Sequence, residues 1–407
     1  MPCAVRTSNW RLLQLAAGLA VAACAAEPPS TLPPPAVEPT LELHPTSFDE
    51  LEGWRRDDPS QALAAFRSSC SKLEVRAPDE PMDPDRVFGR VADWQLVCRA
   101  AAELPEPART ADARAFFERW FVPHRVSDGS AAEGLFTGYY EPLLRGSRAN
   151  GGPYRVPLRR VPDDLVRVEL GRFNPDLAGY WIAGRIVGGA FVPYHPRAEI
   201  ENGALDGQGL ELLWVDDPID KFFLQIQGSG QVVLEDGTLV RVGYAGQNGH
   251  PYRAIGRDLI EIGALDREHV SLQAIRAWLQ AHPEDARAIM DRNRSYVFFQ
   301  EHPLLTPEDG PLGAQGVPLT PGRSLAVDLR FIPLGAPLWL ETTAPMPEGE
   351  APLRRLVIAQ DTGGAIRGVV RGDVFWGAGP RSEFVAGHMK SRGGYAVLLP
   401  RALAPIS

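Results

Sequence analysis

Apolar residues recur at helical spacing in a few stretches of this chain. In 61–73, QALAAFRSSCSKL, Leu63, Phe66, Cys70 and Leu73 fall on one side of a helix that starts just after Pro59. The segment 85–104 carries Val87, Val91, Trp94 and Cys98 on one face. ADARAFFERWF, 111–121, follows Thr110, which is suited to cap it. Residues 46–125 therefore read as helical. Two further helices are predicted over 271–282 and 283–293, divided by Pro283, which cannot continue the first.

Elsewhere the runs are short and β-like. YRVPL, YWIAGRIVG, AFVPYH, LELLWV and FFLQIQGSGQVVL, all within 145–240, are broken by Pro, Gly and Asp-Gly signals. Their spacing predicts a separate all-β unit, a small barrel or sandwich. Within it, 222–230 reads as a strand with Gln225 and Gln227 on one face and Ser229 at its edge. Such amides and a hydroxyl could read sugar hydroxyls and N-acetyl groups, but a polar outer barrel face explains the alternation equally well. Residues 242–263 read as a glycine-rich loop entering a helix, 295–301 as a strand, and 383–400 as a final loop and strand.

The N-terminus has a different pattern. Arg6 and Arg11 precede an apolar run, 12–23, too short to span a bilayer, which ends in Val21-Ala22-Ala23-Cys24. This resembles a bacterial lipobox, so residues 1–23 are expected to be a lipoprotein signal peptide with Cys24 acylated; an ordinary secretory site with an incidental Cys is the alternative. The Pro-rich stretch 24–45 is expected to be an extended tether.

Composition narrows the function classes. The 407 residues contain 44% hydrophobic and 23% charged positions, enough for packed domains. A formal net charge of −9 argues against nucleic acid, and no dinucleotide or Walker glycine pattern opens a helix. The eight His are scattered, so neither a metal site nor a cofactor is expected. Of the four Cys, Cys3 would leave with the signal and Cys24 would take the lipid on the lipoprotein reading. Cys70 and Cys98, on neighbouring helices of an exported protein, are candidates for a disulfide, with two buried thiols as the alternative.

The candidate chemistry lies in 360–377, QDTGGAIRGVVRGDVFWG. Asp361 and Asp373 stand among five glycines and beside Phe375 and Trp376. A carboxyl against apolar rings is poorly solvated, which raises its pKa toward the range of a general acid. A surface hairpin with Asp-capped turns fits these eighteen residues as well. Asp328, in the β-rich run 324–342, adds a third carboxylate on a short strand and suggests a small closed barrel with a polar mouth. Upstream, Thr137, Tyr139, Tyr140 and Glu141 stand together in 135–144. Adjacent tyrosines on a strand face opposite ways, so one can pack inward while the other lines a groove suited to sugar rings.

Six runs now occur in order: TGYYEP (137–142), DDPIDKFFLQIQGSG (216–230), GYAGQNGHPYRAIG (243–256), NRSYVFFQE (293–301), GVPLTPGRSLAVDLRFIPLGAPLWL (316–340) and QDTGGAIRG with RGDVFWG. Together they resemble the membrane-bound lytic transglycosylase A (MltA) family. The resemblance implies a mainly β fold with N-terminal and intervening helices. A double-psi β-barrel, the three-Asp domain, would carry an inserted small β-barrel domain, with a glycan groove between them. Applied here, the catalytic part would be 46–142 plus 241–407 and the glycan-binding insert 143–240. The implied activity is cleavage of the β-1,4 bond between N-acetylmuramic acid and N-acetylglucosamine, leaving a 1,6-anhydro end. Asp373 matches the family's single catalytic Asp and Asp361 the assisting carboxylate. Thr137, Tyr139, Tyr140, Gln225, Gln227, Ser229 and Asp328 are the expected substrate-binding set, Asp328 alternatively a structural residue. The implied partners are peptidoglycan strands and, through the lipid, the outer membrane on its periplasmic side, with room for other cell-wall enzymes. A glycoside hydrolase and a non-catalytic glycan-binding lipoprotein remain the rival readings.

Overall fold

A computed structural model describes residues 39–129, 131–177, 180–302, 306 and 309–403. The expected signal peptide, Cys24 and most of the tether lie outside the described residues.

A strand β1 (Leu41–Pro45) precedes three helices, α1 (Ser60–Leu73), α2 (Val91–Ala102) and α3 (Thr110–Trp120). Then come β2 (Phe121–Asp128) and β3 (Gly134–Glu141), and β3 passes through Pro142 into β4 (Leu143–Ser147). The next strands are β5 (Val156–Arg159), β6 (Val166–Glu169), β7 (Trp181–Val187) and β8 (Ala190–Pro193). A one-turn helix α4 (Arg197–Glu199) leads to β9 (Glu211–Val215), α5 (Pro218–Gln227), β10 (Ser229–Leu234) and β11 (Leu239–Gln247). Helices α6 (Ile255–Glu261), α7 (Leu272–Ala281) and α8 (Pro283–Asp291) follow. The chain ends with β12 (Val297–Glu301), β13 (Ser324–Ala326), β14 (Pro337–Met346), β15 (Gly349–Asp361), β16 (Arg371–Ala378), α9 (Pro380–His388) and β17 (Lys390–Pro400).

Six strands close a barrel in the order β17-β14-β15-β13-β16-β3, and β3 pairs back onto β17. The pairs β13–β15 and β16–β3 are parallel and the rest antiparallel, the mixed pairing of the expected double-psi barrel. Closure leaves no free edge inside the barrel. Outside it, β2 pairs with β17 and β1 with β2. The last five residues of the Pro-rich stretch are thus a strand: Leu41 and Leu43 alternate with polar residues and pack on the barrel core. The three N-terminal helices seal one flank. Trp94, Phe66, Phe117 and Phe121 are fully buried with Trp339 of β14, and Cys70 of α1 is bonded to Cys98 of α2.

The second part is a six-stranded sheet, β12-β11-β10-β4-β9-β5, with a three-stranded sheet β6-β7-β8 beside it. It takes strands from both sides of the α6–α8 helices, because β12 pairs with β11. One buried cluster joins it to β3. Glu141 accepts from Arg241 Nε at 2.8 Å and from Gln231 Nε2 at 2.7 Å. Burial pushes the Glu141 carboxyl up, against the pull of the Arg241 charge.

Besides β1, strand β2 occupies the end of the stretch read as helical to 125, β11 runs through Gln247 into the expected glycine-rich loop, and two helices differ from the sequence reading. Of the stretch 222–230 read as a strand, Ser229 and Gly230 open β10, but 222–227 belong to helix α5. Asp217 caps it by accepting from Ile219 N at 2.7 Å, Pro218 occupies its first turn, and Gly228 ends it at φ +83°. Ile219, Phe222, Phe223 and Ile226 recur at helical spacing and bury one face, which overrides the Gln225/Gln227 alternation. The second difference is α9, in place of the expected loop near 383; Pro380 starts it, but it shows no strong apolar stripe.

Candidate active site

Strand register builds the site. Ala326 of β13 is in register with Asp361 at the end of β15 on one side and with Asp373 of β16 on the other. Adjacent strands are about 4.8 Å apart, which sets the two Asp backbones roughly 10 Å apart across a residue with only a methyl group. On the far side of β16, Thr137 of β3 is in register with Asp373.

The two carboxyls have different surroundings. Asp361 accepts three bonds: from Ala314 N at 2.8 Å and Thr362 N at 2.9 Å on Oδ1, and from the Tyr139 hydroxyl at 2.8 Å on Oδ2. Burial raises its pKa to about 6, although these donors favour the ionised form; the nearby Asp373 charge adds to the rise. Asp373 accepts one side-chain bond, from Thr137 Oγ1 to Oδ1 at 2.7 Å. Its pKa is also raised, by burial first, with the Arg371 charge and the Thr137 bond pulling the other way. Arg371 does not meet the carboxylate directly: its Nη2 donates to Thr137 Oγ1 at 2.8 Å.

Tyr139 and Tyr140 take opposite sides of β3. Tyr139 packs its ring on Phe375, with centroids 5.3 Å apart, and aims its hydroxyl at Asp361. Burial, then the charges of Asp361 and Asp373, hold that phenol neutral, so it acts as a donor. Tyr140 is buried on the other side, toward Glu383 and Arg276, and its N–H donates to Gln227 Oε1 at 3.0 Å.

The remaining expected residues are dispersed. Gln225 lies in the interior of the second part: it accepts from Arg197 and donates to Val297 O at 2.9 Å. Ser229 is buried in β10 opposite Gly243. Asp328 is 1% exposed and saturated by Arg330, at 3.0 Å and 2.5 Å, and by Gly368 N at 2.8 Å. Burial pushes the Asp328 carboxyl up, but the bonds from Arg330 and Gly368 prevail and leave it lowered. It pins the 363–368 turn between the two other aspartates. The site therefore groups Asp361, Asp373, Thr137 and Tyr139, with Asp328 as their scaffold.

Two side chains join the group without having been expected. Arg371 sits two residues before Asp373, hence on the same side of β16; that i, i+2 spacing was its signal. Tyr252, in the loop after β11, is 39% exposed. Its hydroxyl pKa is raised, by desolvation at the phenol end first and then by the Asp373 charge. Its run, 243–256, is one of the six that carry the resemblance, but no local signal singled out this residue. Among the described residues no cluster of three or more His, Cys, Asp or Glu is arranged to hold a metal ion, and no helix is long and apolar enough to cross a membrane.

Comparison with known proteins agrees with this architecture. A family profile described as the MltA specific insert domain matches residues 135–300, and one described as the 3D domain matches 323–399. The chain is 36% identical to the membrane-bound lytic murein transglycosylase A of Vibrio cholerae over 264 residues, a match that spans 64% of this chain and 63% of that protein. It is 33% identical to the Escherichia coli K12 protein of the same name over 330 residues, 79% of this chain and 78% of the other. A membrane-bound lytic murein transglycosylase from Agrobacterium tumefaciens superposes with a TM-score of 0.77 at 33% identity, covering 89% of this chain and 98% of that one. E. coli MltA with bound chitohexaose gives 0.63 at 26% identity, covering 91% and 96%. With both domains matched in order around this barrel, the chain belongs to the membrane-bound lytic murein transglycosylase A family of enzymes.

Proposed function

We propose that this enzyme cleaves the β-1,4 bond between N-acetylmuramic acid and N-acetylglucosamine in peptidoglycan and leaves a 1,6-anhydromuramic end, with Asp373 as its single acid and base. The observation that carries the assignment is the unequal hydrogen bonding of the two carboxyls. Asp361 already accepts three donors, a pattern that suits the ionised form. Among the described residues Asp373 accepts one side-chain donor, on Oδ1, which leaves Oδ2 as the oxygen to hold and release a proton.

Asp373 gives its proton to the glycosidic oxygen as the C1–O bond breaks, and positive charge grows on the muramoyl ring. Ionised Asp361 stabilises that charge. The C6 hydroxyl of the same sugar then attacks C1 and returns its proton to Asp373. An intramolecular nucleophile has a large effective concentration, so water is outcompeted. Tyr139 keeps Asp361 ionised by donating to it. The chitohexaose bound by E. coli MltA supports a β-1,4-linked amino-sugar chain as substrate.

Mass analysis of products from purified cell wall tests this. Anhydro ends are expected from the wild type. Asp373→Asn should abolish release while folding and glycan binding persist. Reducing ends would make the enzyme a hydrolase, and full release by the variant would remove Asp373 from the mechanism. The lipobox at Cys24 supports a lipid anchor in the outer membrane, facing the periplasm. Cys24→Ala should leave the membrane fraction; retention there would refute the anchor.

A further inference from the structure

Asp328 and Asp373 each have an arginine two residues away, but the two pairs are wired differently. Arg330 donates straight to Asp328 through Nε at 3.0 Å and Nη2 at 2.5 Å. Arg371 instead donates to Thr137 Oγ1 at 2.8 Å, and Thr137 donates to Asp373 Oδ1 at 2.7 Å. Its Nη1 donates to the carbonyls of Leu135, at 3.3 Å, and Gly372. Among the described residues Arg371 has no ion pair, and Asp373 is the carboxylate whose charge reaches it.

A guanidinium has no acceptor, so the Thr137 oxygen must accept from Arg371. The single Thr137 proton is then directed at Asp373. We infer that Arg371 is a positioning residue for the reaction proposed above, acting through Thr137 to orient the Asp373 carboxyl and to reserve Oδ2 for the exchangeable proton. A direct arginine pair lowers a carboxyl pKa by about 1–3 units, which would leave little acid at neutral pH. The interposed hydroxyl keeps the orientation and weakens that pull. Within this barrel the carboxyl bonded directly to its arginine is lowered, whereas burial, the largest influence on Asp373, raises that carboxyl against the pulls of the Arg371 charge and the Thr137 bond.

Other groups near Asp373 are Asp361 from β15, Tyr139 from β3 and Tyr252 from the loop after β11. On β13 its neighbour is the neutral Ala326. Lys390 of β17, exposed, is the register partner of Thr137 on the far side.

The test titrates Asp373 by carboxyl 13C NMR, assigned with Asp373→Asn, alongside the pH profile of product release. Arg371→Met should raise the Asp373 midpoint by about 1 unit and move the alkaline limb of kcat/KM upward with it. Thr137→Val should raise it too, and the double variant should shift it by less than the sum of the two single shifts, the remainder being the direct pull of the Arg371 charge. Arg371→Lys, which keeps the charge, covers the case where Arg371→Met does not fold, and its midpoint should lie between the two. An unmoved midpoint in a folded Arg371 variant, or additive shifts in the double variant, would overturn the relay. The NMR arm stands even if the wild type releases no product, an outcome that would count against the proposed reaction alone.

Discussion

Asp361 and Asp373 lie on different strands yet share one register partner, Ala326. That partner is 4% exposed and packs with Tyr139, Phe375, Leu319 and Ile366. Register partners project to the same face of a sheet, so Ala326 stands between the two aspartates, beside an irregularity in the β13–β15 pairing. Ala326→Leu should fill that space. Turnover should fall at least about tenfold, with a stability loss of about 1–3 kcal/mol from overpacking. Product release measured beside a thermal melt checks this. Unchanged turnover in the folded variant would show that substrate does not pass between the two aspartates.

Asp361 gives a pH-dependence with a definite sign. Its folded pKa, about 6, is above its reference value of 3.8. The folded state therefore binds the proton more tightly, and its stabilising contribution is present below 3.8 and lost as pH rises through about 6. Asp361→Asn removes this loss. The variant should be more stable than the wild type at pH 8, by about 1–2 kcal/mol after allowance for partial exposure, and less active. The Asn oxygen can still accept from Ala314 and Thr362, while its NH2 can donate to Tyr139 only if that phenol turns its own proton away. Melting temperatures at several values between pH 4 and 8 decide the point. A variant less stable at pH 8 than at pH 5, relative to wild type, would contradict it.

Much of the barrel was legible because its strands are short, apolar and punctuated by glycine, and because Asp361, Asp373 and Thr137 lie at strand positions with local signals. Register was not legible. Nothing in the chain announces that Ala326 separates the two carboxyls, since pairing across more than thirty residues is set by tertiary packing. Segment 218–227 failed for another reason: two glutamines at alternate positions imitated a strand, while Asp217, Pro218 and Gly228 carried the true helix signals. Gln225 then turned inward to Arg197 and away from the carboxyl cluster. Arg371 was missed because an arginine two residues from an aspartate reads as a surface charge until its threonine partner, on a strand far away in sequence, is known.

Asp328 should behave as a structural residue. Its folded pKa is lowered, so its contribution is present above the unfolded value of 3.8 and is lost as pH falls through the folded one. Asp328→Ala leaves Gly368 N without its acceptor and releases Arg330, which is 40% exposed and can be hydrated. The expected cost at neutral pH is about 2–3 kcal/mol. The difference from wild type should shrink in acid, where the wild-type carboxyl is protonated. Glycan affinity should fall only as far as the 363–368 turn loosens. Full stability of Asp328→Ala with lost glycan binding would instead make it a ligand-contacting residue.

The bond between Cys70 and Cys98 joins α1 to α2 over a separation of 28 residues, and both positions are buried. A loop of that length gives about 3–4 kcal/mol by the chain-entropy relation. Replacing both cysteines by alanine should therefore lower the melting temperature without abolishing the fold. The effect on catalysis is constrained by Gln360, next to Asp361. Its Nε2 donates to Ala65 O at 2.8 Å and Ser69 Oγ at 3.0 Å, both on α1. Successive residues on β15 face opposite ways, so α1 supports the back of the strand whose front carries Asp361. Those bonds do not require the disulfide, and turnover well below the melting temperature should stay within about twofold of wild type. A much larger loss in the folded double variant would mean that α1 holds Asp361 in place only while it is bonded to α2.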